Sequence, residues 1–558
     1  MAHTTPQSPP RPPFPPAAVG ARGRVAWLLR VNRLLGSDGR YASLPSFAGA
    51  FSGGSYDHAV SVSALSRWET GQVPAPAAAL SRYEELLGLP RDLLLTTART
   101  TLRYLAPSAL SQPPLPRTGK GLDAAADRAQ ELLELALSRD LMRGEDWAQL
   151  TEALCEIGRF ALLTGSAWTQ ITERLVAEMV IADDVPWMAR FEALNRLLNH
   201  PRGAQHAIAV CASMARDGSN YAATEVVCAL DNTAHPDAAA RVLAELSRPN
   251  SQRALEGAVM ACIRKVEYGH FTAHQLRRLA HAVHDIGPEW DLFGQVQALS
   301  GALHELPAEA GPVCRSHRGS YASPLGDPRV GGHRSDRPRT HRPPAAALPA
   351  GAPPTELAGV ARRVLRHARR GTEPDHTDAT LALLVTEMFC HPVFDVRLHT
   401  SLLLAATPYR RALADAAVAE LASPRIAATL SCALPVLGVL RIIGDAGHRG
   451  SVERLALTSG LPRATASAAV HSLGHIDTDQ GDDVFFTRAL AHYTRQWAQR
   501  RDPAAATTLN GLVYAIGRAG RTELLRDIRD RSEYPLAARQ AAAWWLNLAG
   551  HTQASSLT

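Results

Sequence analysis

The stretch AVSVSALSRWETG, residues 59–71, decides the fold at the N-terminal end of this sequence. Ser61 is placed to cap a helix, because its side-chain oxygen can accept a hydrogen bond from the free amides of the first turn. Val60 precedes this cap and is positioned to pack into a core. Leu65 and Trp68 are three residues apart and therefore share one face of the helix. The stretch predicts a short helix with one packed face.

The opposite side of this helix carries small side chains and one charge. Val62, Ser63, Ser66 and Arg67 are left facing outward, and Gly71 ends the helix at a position that favours a left-handed residue. A short helix with small outer residues can enter the major groove of DNA, which is about 12 Å wide. Long side chains at every outer position would hold such a helix away from the bases.

Further helices are predicted on both sides of this segment. Upstream, Ser43 is placed to cap a short helix that has a proline in its first turn and Phe47 and Ala48 as its packing face. Residues 22–36, RGRVAWLLRVNRLLG, form an earlier helix with an apolar stripe and with arginines outside that stripe. Residues 74–90, PAPAAALSRYEELLGLP, supply a later helix that can close the bundle.

The order of these helices resembles the phage-repressor and Cro-like helix-turn-helix family, often called XRE, between residues 22 and 89. In that family a Ser-x-x-x-Leu-Ala second helix is followed by a tight turn and by a third helix that ends in Ser-Arg-Ile-Glu-x-Gly. The matching residues are Ser43, Phe47 and Ala48, then Ala59, Val60 and Ser61, then Leu65, Ser66, Arg67, Trp68, Glu69 and Gly71. The resemblance implies that double-stranded DNA is a partner.

The resemblance also implies roles for individual residues. The implied DNA-binding residues are Ser43, Ser61, Val62, Ser63, Ala64, Ser66 and Arg67. The implied structural residues are Phe47, Ala48, Val60, Leu65, Trp68, Glu69 and Gly71. Within these sets, Glu69 is expected to pair with an arginine of the first helix, either Arg30 or Arg33. The family usually reads two half-sites through a two-fold dimer, so a homodimer is a further expectation.

The sequence departs from the family in one place. Seven residues, SGGSYDH at 52–58, are inserted between the second helix and the turn. Two consequences are open. The inserted loop can reach the phosphate backbone of DNA, or it can loosen the placement of the two helices and weaken binding.

Composition divides the rest of the chain into helical and proline-rich parts. The proline-rich parts are a disordered arm at 1–21, a linker after the bundle at 106–121, and a disordered Pro/Arg-rich linker at 307–354. Amphipathic helices follow one another at 122–306 and again at 355–558. The predicted fold class is all-α, with a helix-turn-helix bundle at 22–105 followed by a helical, HEAT-like repeat array.

The evidence for repeats is a recurring glycine. Gly444, Gly474, Gly517 and Asn547 each lie at the end of an Ala-rich helix, at intervals of 30, 43 and 30 residues. The C-terminal helices resemble HEAT repeats, which have this spacing. Between 122 and 306, irregular helical hairpins and TPR-like pairs are alternatives.

The remaining composition argues against other classes of protein. The net charge of +6 is compatible with a polyanionic partner, and the Ala, Arg, Gly and Pro content indicates a GC-rich, bacterial genome. No apolar run is long enough to span a bilayer, and the seven cysteines are scattered as in a reducing cytoplasm. Motifs for phosphate binding, metal ligation and nucleophilic catalysis are missing from the sequence. We therefore expect a cytoplasmic protein, nucleoid-associated when bound to DNA, with no enzyme activity, catalytic residues, cofactor or metal.

Two functions follow from these expectations. The first is a sequence-specific transcriptional regulator, whose helical repeats sense an effector protein, peptide or small ligand. The alternative is a helical-repeat scaffold that binds proteins and uses its N-terminal domain for assembly.

Overall fold

The computed structural model describes residues 20–36, 39–106, 120–217, 222–286, 295–304, 355–371, 378–476 and 483–556. Within these ranges the chain is helical, and the one sheet-like feature is an isolated bridge between Gly53 and Tyr56. The all-α class predicted from the sequence is confirmed for this part of the chain. None of the helices described here combines the length and the apolar character needed to cross a bilayer.

The proline-rich segments lie almost wholly outside the described residues. The predicted arm at 1–21 is described only at its last two positions, and the predicted Pro/Arg-rich linker at 307–354 is not described at all. The predicted linker at 106–121 is described at residue 106 and from residue 120 onward, where a helix has already begun.

The first five helices form what we call the N-terminal bundle. They are α1 (Ala21–Leu35), α2 (Leu44–Phe51), α3 (Val62–Glu69), α4 (Ala77–Leu87) and α5 (Leu93–Leu105). The bundle contains the three helices that the sequence predicted around residues 22–71 and the closing helix after them. The fifth helix leads out of the bundle towards the rest of the molecule.

Between residues 120 and 304, the described residues form ten helices, which make up the first array and alternate between two layers. They are α6 (Lys120–Leu137), α7 (Gly144–Ile157), α8 (Gly165–Met179), α9 (Asp184–Leu198), α10 (Ala204–Arg216), α11 (Ala223–Cys228), α12 (Pro236–Ser247), α13 (Gln252–Glu267), α14 (Ala273–His284) and α15 (Gln295–His304). Helices α7, α9, α11, α13 and α15 make up one layer, and the even-numbered helices make up the other. Short 3-10 turns follow α7 and α11, at Gly158–Phe160 and Ala229–Asn232.

The second array comprises thirteen helices in the described ranges from residue 355 onward. They are α16 (Thr355–Ala368), α17 (Ala379–Cys390), α18 (Phe394–Ala405), α19 (Arg410–Leu421), α20 (Pro424–Ala428), α21 (Leu430–Ile443), α22 (Ala446–Ala456), α23 (Arg463–Leu473), α24 (Asp483–Arg500), α25 (Pro503–Arg518), α26 (Thr522–Asp530), α27 (Leu536–Asn547) and α28 (Gly550–Ser556). A 3-10 turn at Arg369–Gly371 follows α16. Helices α21, α23, α25 and α27 stack side by side, with α22, α24 and α26 covering them.

The recurring glycines lie where consecutive helices of this stack approach most closely. A Cβ atom at Gly444 would lie 3.2 Å from the side chain of Ile476, and one at Gly474 would lie 2.6 Å from the ring of Tyr514. At Gly517 a Cβ atom would overlap the indole of Trp545. Gly474 and Gly517 therefore make room for an aromatic ring of the next helix of the stack, whereas a Cβ atom at Gly444 would first meet the Leu440 carbonyl, at 2.5 Å.

The N-terminal bundle is packed against the second array through buried polar contacts of α1. Arg24 makes a bidentate ion pair with Glu387 of α17, with bonds of 2.7 and 2.8 Å. The Trp27 indole donates a 2.8 Å hydrogen bond to the carboxylate of Asp378, which caps α17. One continuous hydrophobic core runs through the bundle and both arrays. The segments that the sequence separated by composition are thus joined in space.

The two arrays also contact each other directly. Asp183, which precedes α9, accepts hydrogen bonds from His475 and Arg518 of the second array. The last helix, α28, packs on α8, and its Ser555 hydroxyl accepts a 3.0 Å hydrogen bond from the Met142 amide. The C-terminal end of the described chain therefore returns to the beginning of the first array.

Candidate nucleic-acid interface

Helix α3 has the cap and the packed face that its sequence predicts. The Ser61 hydroxyl accepts a 3.2 Å hydrogen bond from the amide of Ala64, which ties down a free donor of the first turn. Leu65 and Trp68 are buried in the bundle. Gly71 follows with a φ of +74°, in the left-handed region.

The outer face of α3 is open to solvent. Val62 is 41% exposed, and the neighbouring Ser63 and Arg67 are also exposed. Ala64 and Ser66 are half-buried at the edge of this face. The implied base-facing residues thus lie on one accessible surface and none of them is enclosed in the core.

Ser43 is exposed and comes just before α2, the helix that precedes α3 in the chain. Within the described chain its hydroxyl accepts no capping hydrogen bond, although Pro45 does occupy the first turn as the sequence suggested. The start of α2 is therefore defined by proline, without the side-chain cap that was expected.

The end of α3 is locked by a buried ion pair. Arg33 of α1 donates to both carboxylate oxygens of Glu69, at 2.6 and 2.7 Å, and to the carbonyl of Tyr41 at 2.9 Å. The Tyr83 hydroxyl adds a 2.9 Å hydrogen bond to Glu69, and burial together with this carboxylate raises the pKa of Tyr83 well above its usual value. Of the two arginines that the resemblance offered as partners, the structure places Arg33 on Glu69.

This ion pair corrects one detail of the sequence interpretation. The arginines of α1 were expected outside its apolar stripe, but Arg33 is only 3% exposed. The reason is its charged partner, which makes burial of the guanidinium group possible. Helix α1 is buried around most of its circumference, because α3 and α5 cover one side and the second array covers another.

Aromatic rings fill the space beneath α2 and α3. Phe47 and Phe51 are fully buried, and the Phe47 ring meets that of Tyr83 edge to face at 4.8 Å between centroids. Tyr56 of the inserted loop packs on Phe51 at 5.4 Å and on Trp68 at 6.1 Å. The insertion therefore contributes to the core that positions α3.

The inserted loop at 52–58 is also fastened to α4. Arg82 donates to the carbonyl oxygen of Phe51 at 2.9 Å, at the point where the loop begins. The Glu85 carboxylate accepts from the Ser55 amide at 3.1 Å and from its hydroxyl. These contacts hold the inserted loop against α4. They give no sign that the insertion loosens the placement of α2 against α3.

Two exposed arginines lie near the C-terminal end of α3. Arg67 is in its last turn, and Gly71 packs against the backbone of Arg22, which brings the start of α1 beside that end. A third exposed arginine, Arg40, lies in the loop before α2, its guanidinium 5.2 Å from the ring centre of Tyr41. Exposed guanidinium groups of this kind can contact phosphate groups.

The sequence did not identify the contacts by which α1 holds the second array. Asn32 donates a 2.9 Å hydrogen bond to the carbonyl of Ala406, in addition to the contacts that Arg24 and Trp27 make. A signal was present, because α1 carries apolar residues on nearly all sides and a small bundle needs only a stripe.

The first array has a groove distant in sequence from α3. It has a volume of about 580 Å³ and is lined by Trp168, His200, His206 and His235 among others. Such a concave surface with a few polar groups has the size range of ligand sites.

No protein-family model matches this chain, and no curated protein or solved structure matches it either.

Proposed function

We propose that this protein binds double-stranded DNA in a sequence-specific manner and regulates transcription, with α3 as its recognition helix. The observation that carries the proposal is the exposed outer face of α3, formed by small side chains on a helix whose inner face and end are fixed. A helix of this kind can approach base edges in the major groove without a large ordering cost.

Two kinds of contact would contribute to binding. Ser63 and Ser66 are suited to hydrogen bonds with base edges, which provide sequence discrimination. Arg22, Arg40 and Arg67 are suited to phosphate contacts, which provide affinity that falls as salt rises. Two copies of the chain would read half-sites separated by about 34 Å if the protein acts as a dimer.

The helical arrays would receive the regulatory signal. The bundle is connected to the second array by Arg24 and Trp27, and the groove beside Trp168 and His200 offers a place for a small ligand or peptide. A ligand that shifts the arrays would change the orientation of α3 only through such buried contacts.

The test begins with selection of a duplex from a random-sequence library by the purified full chain. The selected duplex and a scrambled version are then titrated in mobility-shift assays at several salt concentrations. We expect Ser63→Glu and Arg67→Glu to weaken binding of the selected duplex by about 1–3 kcal/mol each. Arg277→Glu, which reverses an exposed charge on the first array, is the matched control and should bind as the wild type does. Equal affinity for the scrambled duplex, or full selectivity in Ser63→Glu and Arg67→Glu, would refute the proposal.

A second candidate is favoured by a different observation. The N-terminal bundle is embedded through buried contacts such as Arg24 with Glu387, as expected of a part used for assembly. In that case the chain is a protein-binding scaffold. The library selection would then enrich no sequence, and removing the exposed charge of Arg67 would have the same effect as Arg277→Glu.

A further inference from the structure

Three acidic groups meet where the first array, the second array and α5 come together. Cys228 ends α11, Asp231 lies in the 3-10 turn that follows it, and Asp395 lies in the first turn of α18. The Cys228 sulfur and one oxygen of each carboxylate all lie within 4.8 Å of one another. The cluster thus contains residues from both arrays.

Two buried polar atoms in this region lack a hydrogen-bond partner among the described residues. Asp231 is 6% exposed, and its Oδ1 atom has no hydrogen-bond partner among the described residues. The hydroxyl of Tyr104 on α5 is likewise without a described partner, and the residue is only 2% exposed. Buried polar atoms without partners are uncommon in proteins, and a bound water or ion is one explanation for them.

The two carboxylates, Asp231 and Asp395, are both buried and lie close to each other. Two buried carboxylates this close need a shared proton or a positive charge beside them.

The nearby cationic side chains donate hydrogen bonds to groups outside the cluster, although Arg103 Nη2 and Arg264 Nε have no partner among the described residues. Arg103 donates to Glu192 at 2.8 Å and to Asn232 at 2.6 Å. Arg264 donates to Glu267 at 2.8 Å and to the Tyr104 carbonyl at 2.9 Å. Lys265 donates to the carbonyl of Thr233 at 2.7 Å, and Arg397 donates to the carbonyls of His391 and Pro392. These cations offset part of the negative charge of the two carboxylates. The hydrogen bonds described for them, however, are accepted by groups outside the cluster.

The geometry points to a metal ion. Three atoms that all lie within 4.8 Å of one another are each within about 2.8 Å of a common centre. Zinc binds sulfur at about 2.3 Å and carboxylate oxygen at about 2.0–2.2 Å, so the three side chains need to move inward by less than about 1 Å. A thiolate among the ligands favours zinc over magnesium or calcium.

We propose that Cys228, Asp231 and Asp395 bind one divalent transition-metal ion, for which Zn²⁺ is the best fit, with water in the fourth position. The bound ion would join the two arrays. This site does not depend on the DNA-binding proposal, because its test measures metal directly.

The test uses the full chain, stripped of metal with a chelator, kept reduced, and titrated with Co²⁺. We expect one equivalent to bind, with the near-ultraviolet charge-transfer absorption of a cobalt thiolate, and Zn²⁺ to displace it. Cys228→Ala should abolish this absorption. Cys211→Ala, which removes a buried thiol of α10, is the matched control and should retain it.

A second variant keeps the test informative if Cys228→Ala does not fold. Asp395→Asn retains the shape of the side chain and should weaken Co²⁺ binding at least about 10-fold, with unchanged circular dichroism. The proposal is overturned if the wild-type chain binds neither Co²⁺ nor Zn²⁺, which would leave a shared proton as the explanation. It is also overturned if the thiolate absorption persists in Cys228→Ala or if Asp395→Asn binds as tightly as the wild type.

Discussion

The ion pair between Arg24 and Glu387 provides the most direct test of how the bundle is held. Its two hydrogen bonds are 2.7 and 2.8 Å long, and the side chains are only 2% and 3% exposed. Glu387→Gln preserves the shape and one acceptor but removes the negative charge. The guanidinium charge of Arg24 then stays in a buried site without its carboxylate.

The expected cost follows from this burial. Breaking a buried ion pair by removing one partner costs about 3–5 kcal/mol, and the hydrogen bond that Gln retains places the cost near the lower value. About 3 kcal/mol corresponds to a roughly 150-fold larger population of molecules in which α1 has separated from α17. Replacing both residues by Met removes both charges and should restore most of the lost stability.

Amide hydrogen exchange, measured by mass spectrometry on peptides that cover α1 and α17, reports this opening directly. Protection in these two helices should fall by about two orders of magnitude in Glu387→Gln. The control is Glu523→Gln, which breaks the exposed pair with Arg526, whose side chains are 86% and 51% exposed. That change should lower the free energy of unfolding by less than about 1 kcal/mol. If exchange in α1 is the same in Glu387→Gln as in the control, α1 is not held by this pair and the docking of the bundle is wrong.

Three further predictions concern other buried features. Glu69→Gln leaves the buried Arg33 charge uncompensated, so α3 should lose about 3–5 kcal/mol of protection in hydrogen exchange; unchanged protection would mean that this pair does not fix the helix. Burial lowers the pKa of His391 to about 4, so the folded state holds this side chain neutral at a pH where the unfolded chain is already protonated. The contribution of His391 to the free energy of unfolding is therefore full above about pH 6.5 and is lost, by up to about 3 kcal/mol, as the pH falls towards 4. The fall in melting temperature over this range should be smaller in His391→Asn, and an identical fall would contradict the assignment. Gly517→Ala places a methyl group against Trp545 and should cost about 1–3 kcal/mol in thermal unfolding, whereas an unaffected melting temperature would contradict the close packing of α25 on α27.

Local signals in the sequence were enough to predict α3. Its cap at Ser61 and its packed residues Leu65 and Trp68 lie within one or two turns of each other, so short-range rules apply. The spacing of Gly474 and Gly517 likewise indicated a repeated unit, although not which rings would pack against them.

Contacts between distant parts of the chain gave no such signal. The inserted loop is fixed by Arg82 and Glu85, which the sequence offered only as members of the following helix. The cluster of Cys228, Asp231 and Asp395 was missed because its third member is far along the chain from the other two. Patterns in the sequence reveal periodicity within one helix, but they do not reveal which side chains of two different arrays lie next to each other.

The separation of Arg24 from Glu387 also matters while the protein is being made. The two residues are 363 positions apart, and ribosomes add about 5–20 residues per second. Roughly 20 to 70 s therefore pass between the synthesis of α1 and that of its docking partner. During this interval the apolar and charged side of α1 that later faces the second array is exposed on a nascent chain. The order of synthesis therefore makes this side of the bundle a surface that needs protection before folding is complete.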